Sequence, residues 1–113
     1  ARRREALKRE VYPHIRVEVL NAAGVRGLAK RVTWRLRELG FDVVFYGNAA
    51  DTLAKTVVVE RADSSLKNAK LVAEAVGCKE ITYEPDPDLL LEVTLIVGKD
   101  WKKLFKDLKE PVF

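Results

Sequence analysis

Methionine and glutamine are absent from this 113-residue chain, and cysteine and histidine occur once each. One cysteine forbids an internal disulfide, and one Cys with one His cannot assemble a zinc site of the Cys/His type. Cys78, just past a helix stop, reads as a small buried apolar group that leaves the redox compartment open. His14 has no serine or cysteine beside it in a nucleophile motif, so triad chemistry has no footing and a surface histidine is expected. Long apolar runs are also missing: stretches such as Leu89–Leu91 fall far short of the ~20 residues that cross a bilayer. The chain starts at Ala1 with no Met, which reads as a trimmed product or a piece of something longer and leaves an anchor ahead of Ala1 open. Glu84, Asp86 and Asp88 alternate on a loop held by Pro85 and Pro87 but lack the glycine turn and terminal glutamate of a calcium loop, so a solvated turn is expected. No carboxylate pair stands in a recognisable catalytic setting, no cofactor or metal is implied, and the chain is not expected to be an enzyme.

What is present suits one domain. Hydrophobic residues make up 48% of the chain, enough for one compact core at this length. Charged residues make up 34%, a composition that leans toward the ion-pair surface of a thermophile's protein. The net charge of +4 is unevenly placed. Residues 1–10 hold Arg2, Arg3, Arg4, Lys8 and Arg9 against Glu5 and Glu10, so +3 of the excess sits in the leader and +1 in the remainder. A domain that neutralises several phosphates of a nucleic acid normally shows a broad basic face, and that partner is therefore disfavoured. The leader over 1–14 reads either as a solvated, helix-prone segment or as a juxtamembrane stretch laying Arg2, Arg3 and Arg4 against anionic lipid.

Ile15, Val17 and Val19 alternate with Arg16 and Glu18, the period of a half-buried strand that ends at Asn21. Leu28, Val32, Leu36 and Leu39 share a narrow arc of a helix closed by Gly40. In the next strand Phe41, Val43 and Phe45 point one way and Val44 and Tyr46 the other, which predicts a central position or a covered second face. Thr56 to Glu60 reads as a third strand. Asp63, Ser64 or Ser65 is expected to cap a helix carrying Leu66, Ala69, Val72, Ala73 and Val76, ended by Gly77. Ile81 and Tyr83 mark a short fourth strand, and Glu92 to Val97 a final one ended by Gly98. The order β-α-β-β-α-β, with room for one more strand, predicts an α+β fold: a two-layer α/β sandwich of the split β-α-β type, with a doubly wound parallel sheet as the competitor. An additional C-terminal helix, Asp100 to Lys109, carries Trp101, Leu104, Phe105 and Leu108 on one side. That seam closes over the free sheet face or an end of the sheet, or else forms a partner surface.

The turn Gly24, Val25, Arg26, Gly27 at the amino end of the first helix is the leading site candidate. Exposed backbone N–H groups and the helix dipole would make a small anion pocket with Arg26 at its lip. The plainer alternative is that both glycines only permit a tight turn and close packing. Trp34 points away from the apolar stripe, among Lys30, Arg31 and Arg37, and could stack on a sugar ring or nucleobase. Alternatively the leader, the final helix or a second copy of the chain covers it.

The segments L-N-A-A-G-V-R-G-L-A-K-R (Leu20 to Arg31), L-G-F-D-V-V (Leu39 to Val44), G-N-A (Gly47 to Ala49), T-V-V-V (Thr56 to Val59), V-G (Val76, Gly77) and V-T-L-I-V-G-K-D (Val93 to Asp100) together resemble the LytR C-terminal domain family. The resemblance covers about residues 15–100. It implies an extracytoplasmic, non-catalytic module of the bacterial cell envelope, often behind a membrane anchor and sometimes following a phosphotransferase domain that this chain lacks. Ala22 stands where the family often has Gly, Ser or Thr. The combined expectation is a binding or scaffolding domain over 15–100, with 101–113 packed on it as a helix. It would recognise cell-wall glycan, peptidoglycan above all, or an envelope protein, with a homodimer admitted. The candidate residues are Asn21, Gly24, Arg26, Gly27, Lys30, Trp34 and Arg37. The alternative is RNA or single-stranded DNA binding on a ferredoxin-like sheet, which would want paired aromatics where the chain offers Arg16, Val17, Glu18 and Thr94, Leu95, Ile96.

Overall fold

The computed structural model describes residues 12–106 and residue 108. The leader as far as Val11, with the membrane contact expected of Arg2, Arg3 and Arg4, lies outside the described residues, as does most of the tail past Lys106. The strands are β1 (Tyr12–Asn21), β2 (Phe41–Asn48), β3 (Val57–Glu60), β4 (Ile81–Tyr83) and β5 (Val93–Val97). The helices are α1 (Leu28–Glu38), α2 (Lys67–Val76) and α3 (Trp101–Leu104), with a 3-10 turn at Pro87–Leu89. One mixed sheet runs β2-β1-β5-β3-β4, parallel at every pairing except β3 with β5. The fold is α+β. A split β-α-β would part the two strands joined by each helix; here β1 and β2 lie side by side, as do β3 and β4, and β5 enters between the two units.

Alternation explains the core. Register pairs Val17 with Val93 and Val19 with Leu95, so one sheet face presents Ile15, Val17, Val19, Val93, Leu95 and Val97. Leu28, Val32 and Leu36 of α1 and Ala69, Val72 and Val76 of α2 join the same cluster. The opposite face shows Glu18, Leu20, Thr94 and Ile96 on the central strands, with Arg61 Nε donating to Thr94 Oγ1 and Thr94 donating to Glu18 Oε1. The paired aromatics that an RNA-binding sheet wants on its central strands are not there.

Two expectations fail for definable reasons. β2, expected at the centre or with its second face covered, is an edge strand whose Val44 and Tyr46 stand open. A bulge between Val17 and Glu18 inserts Val44 into the pairing, so the alternation slips: Phe41 and Val43 stay buried, but Phe45 is 55% exposed together with Val44 and Tyr46. The ring of Phe45 instead lies near Gly47, where an added Cβ would sit 3.2 Å from it. The helix expected over Asp100–Lys109 closes after four residues, Trp101–Leu104. Phe105 turns into the core, while Trp101, Leu104 and Leu108 pack beside it. This segment meets Val76 and Gly77 at the end of α2 and Arg35 of α1, on the helix side of the sheet and away from its free face.

Helix α2 is also capped differently from expectation. Asp63 accepts from the Ser65 amide, but the cap position is Leu66, in the left-handed region at φ 65°, with no side-chain cap of its own. The amides of Asn68 and Ala69 are taken by Glu60, a residue with 0% exposure at the end of β3. Its carboxylate also accepts from Ala62 N, Asp63 N and Asn68 Nδ2. Five donors and the positive end of a helix stand in for a counter-cation.

Candidate functional site

The carboxyl ends of β1, β2 and β5 lie at one end of the sheet, and the loops that leave them meet there. Asn21, buried at the end of β1, shapes the first loop from within. Its Oδ1 accepts from Ala23 N at 3.0 Å and its Nδ2 donates to Val25 O at 2.6 Å, with Asn48 Oδ1 at 3.4 Å. Asn21 is thus spent on the turn, a staple and no ligand-facing side chain. Gly24 and Gly27 adopt φ of +71° and +77°, where a side chain would be strained, and Gly27 caps α1.

Part of the turn's amide supply is used internally. Ala22 N donates to Val97 O and Leu28 N to Val25 O. The amides of Gly24, Val25, Arg26 and Gly27 have no acceptor among the described residues, and Gly24, Arg26 and Gly27 are exposed. The loop after β2 lies alongside: Leu53 N donates to Ala22 O, and Thr52 Cγ2 is 3.7 Å from where a Gly24 Cβ would stand.

A hub behind the turn, unseen in the sequence, holds these loops in place. Thr56, buried, donates its hydroxyl to Asp100 Oδ1 at 2.7 Å and accepts from Gly98 N at 3.0 Å. Asp100 Oδ1 also accepts from Thr56 N. A Cβ on Gly98 would stand 2.4 Å from the Lys55 carbonyl carbon, so only glycine lets the two backbones approach this closely. The signal was present in T-V-V-V and V-G-K-D, where Thr56, Gly98 and Asp100 read merely as strand and helix ends.

The remaining candidates form a strip on α1. Lys30 and Trp34 are exposed, Trp34 by 51%, and no described segment covers its ring fully. The Arg37 guanidinium lies 5.0 Å from the Trp34 ring centre and donates to Val43 O at 3.0 Å, which ties the indole to the edge of β2. Arg37 is therefore engaged with Trp34 and the Val43 carbonyl. Seven residues separate Gly27 from Trp34, roughly 10 Å along the helix, so turn and strip are neighbouring halves of one surface.

Elsewhere the chemistry is sparse. Among the described residues no group of three metal-ligating side chains converges. Asp86 Oδ1 is used by the Asp88 amide, and His14 is exposed. Burial pushes the Cys78 thiol upward in pKa, away from reactivity. Among the described residues no helix is long and apolar enough to cross a membrane.

The family described as LytR cell envelope-related transcriptional attenuator matches residues 14–101. Cell wall biosynthesis protein LcpA of Corynebacterium glutamicum is 36% identical over 63 residues, 56% of this chain, which spans 12% of that relative's length. The solution structure of the C-terminal domain of RV0431 aligns with a TM-score of 0.49 at 26% identity, covering 79% of this chain and 75% of that one.

Proposed function

The chain belongs to the LytR C-terminal domain family, matched over residues 14–101, and from that premise we propose that it is a non-catalytic recognition module of the cell envelope. Its ligand is cell-wall glycan, bound outside the cytoplasm at the Gly24–Gly27 turn and the Lys30–Trp34 strip. In the full-length protein an anchor holds it at the membrane. The observation that carries the reading is Trp34: a large indole left half in water, with the Arg37 guanidinium 5.0 Å from its ring centre. Such a ring offers a flat apolar face to a sugar, and the amides beside Arg26, without an acceptor among the described residues, suit the carboxylates or N-acetyl oxygens that decorate wall glycan. The naming of LcpA as a cell wall biosynthesis protein supports the association with the cell envelope.

Co-sedimentation with purified peptidoglycan tests this. The wild-type chain is expected in the pellet, and Trp34→Ala and Arg26→Glu are each expected to release it by about tenfold in affinity while leaving the thermal midpoint near that of wild type. Unchanged retention of both variants would remove the turn and the strip from the binding surface.

A further inference from the structure

The two edges of the sheet are finished differently. β4 is three residues long and runs into Glu84 and Pro85, so it offers little to a further strand. β2 is an eight-residue edge, F-D-V-V-F-Y-G-N, with no Lys, Arg or Pro along it, and its Val44, Phe45 and Tyr46 stand open. The beginning of that edge is blunted, because the bulge at Val44 breaks the alternation and Arg37 Nη2 donates to Val43 O. From Phe45 to Asn48, roughly 13 Å of strand, no described segment pairs with the outer side. The two flanks of this stretch differ in chemistry. Phe45 is in register with Glu18 and so lies on the free face of the sheet, whereas Tyr46 is in register with Val19 and faces the helix layer. Helix α1 returns the chain from the end of β1 to the start of β2 and so runs against β2. With Arg37 at Val43, Trp34 and Lys30 come roughly 5 and 10 Å further along, beside Phe45 to Gly47. Lys30 makes no ion pair among the described residues.

We infer that the open edge of β2 binds an extended peptide of a partner protein, added as an outer strand, whose side chains alternate between acidic and apolar. Backbone hydrogen bonds to the Phe45–Asn48 edge hold it, and the alternation selects it. Its acidic side chains turn toward α1 and meet Lys30, while its apolar side chains turn to the free face and cover Phe45. A second copy of this chain fits less well: paired through Phe45–Asn48 it would bring F-Y-G-N and no carboxylate to Lys30. The acid of β2, Asp42, lies ahead of the bulge, close enough to act on the Arg16 charge. The inference does not rest on the glycan reading, although Lys30 and Trp34 border both surfaces.

The test is fluorescence anisotropy of the whole chain with the labelled peptide Glu-Val-Glu-Val-Glu-Val, which carries no sugar. Its rearranged isomer Glu-Glu-Glu-Val-Val-Val keeps charge and composition but loses the alternation, and is expected to bind about tenfold more weakly. The alternating peptide N-methylated at every second residue, made in both phases, keeps its side chains but loses donors along one edge. At least one phase is expected to lose about tenfold. Lys30→Glu is expected to weaken the parent peptide by about tenfold and Phe45→Ser by about fivefold, each with a thermal midpoint near that of wild type because both side chains are exposed. Amide shifts on titration should centre on Phe45 to Asn48. No binding of the alternating peptide, or binding by its isomer and both methylated phases as tight as its own, overturns the inference. So does a dimer in sedimentation that Phe45→Ser breaks and the peptide leaves intact, since a second copy then holds the edge.

Discussion

Two buried side chains make opposite demands on stability. Glu60 accepts hydrogen bonds at both oxygens, from Asn68 N and Ala69 N at Oε1 and from three further donors at Oε2. Glutamine has almost the same shape but puts an amide NH2 where one oxygen stood, setting donor against donor. Glu60→Gln is therefore expected to lose roughly 2–4 kcal/mol in denaturant unfolding, despite being nearly isosteric. Thr33 is the reverse case: fully buried on α1, its Oγ1 finds no partner among the described residues. Thr33→Val removes that hydroxyl at little cost in shape and is expected to raise stability by about 1 kcal/mol, read in the same titration. Neither residue stood out in the sequence. A glutamate closing a β-branched strand looks like a solvent-facing end, and its role comes from a helix that begins seven residues later.

At the scale of elements, strand and helix identities were legible because each carries its own periodicity, whereas pairing was not. Val57–Glu60 and Val93–Val97 announce themselves as strands, but nothing within them says that β5 enters between the two β-α-β units. The exposure of Phe45 follows from the bulge at Val44, since one extra residue reverses the facing of what comes after it, whereas the edge position of β2 is a matter of strand order, which its own residues do not carry. Arg16 and Glu92 make a joint the pattern could not show. Arg16 donates from Nη2 to Oε2 at 2.9 Å, from Nε to Oε1, and from its own backbone N to Oε1, clamping β1 to the start of β5. The Arg16 side chain is the main cause that holds the Glu92 carboxyl below its ordinary value of 4.5. Glu92 thus binds its proton less readily in the folded protein than in the unfolded chain. Its contribution is complete above about pH 4.5 and is lost as pH falls through the depressed folded value. Thermal midpoints measured from pH 6 down to pH 3 should fall, and Arg16→Gln should flatten that fall while leaving any portion due to Asp63, held low mainly by the Ser65 amide, in place.

Over the whole molecule, the proposed recognition surface lies where three loop-bearing strand ends meet. The Thr56–Gly98–Asp100 hub locks the loop after β2 against the end of β5, and Asn21 locks the glycine turn, so the turn amides that lack an acceptor among the described residues stand on a preorganised surface. The turn and Trp34 were legible as candidates because glycine spacing and a lone indole among bases are visible in a string. The spending of Asn21 and Arg37 on internal contacts was not, since it depends on Val25, Asn48 and Val43 arriving from other elements. The most direct measurement is an amide-resolved NMR titration of the chain with soluble peptidoglycan fragments. The largest shifts are expected at the backbone amides of Gly24 to Gly27 and at the Trp34 indole N–H, with β3, β4 and α2 unmoved. Saturable binding whose shifts fall elsewhere, with the turn and the indole silent, would contradict recognition at the head of α1.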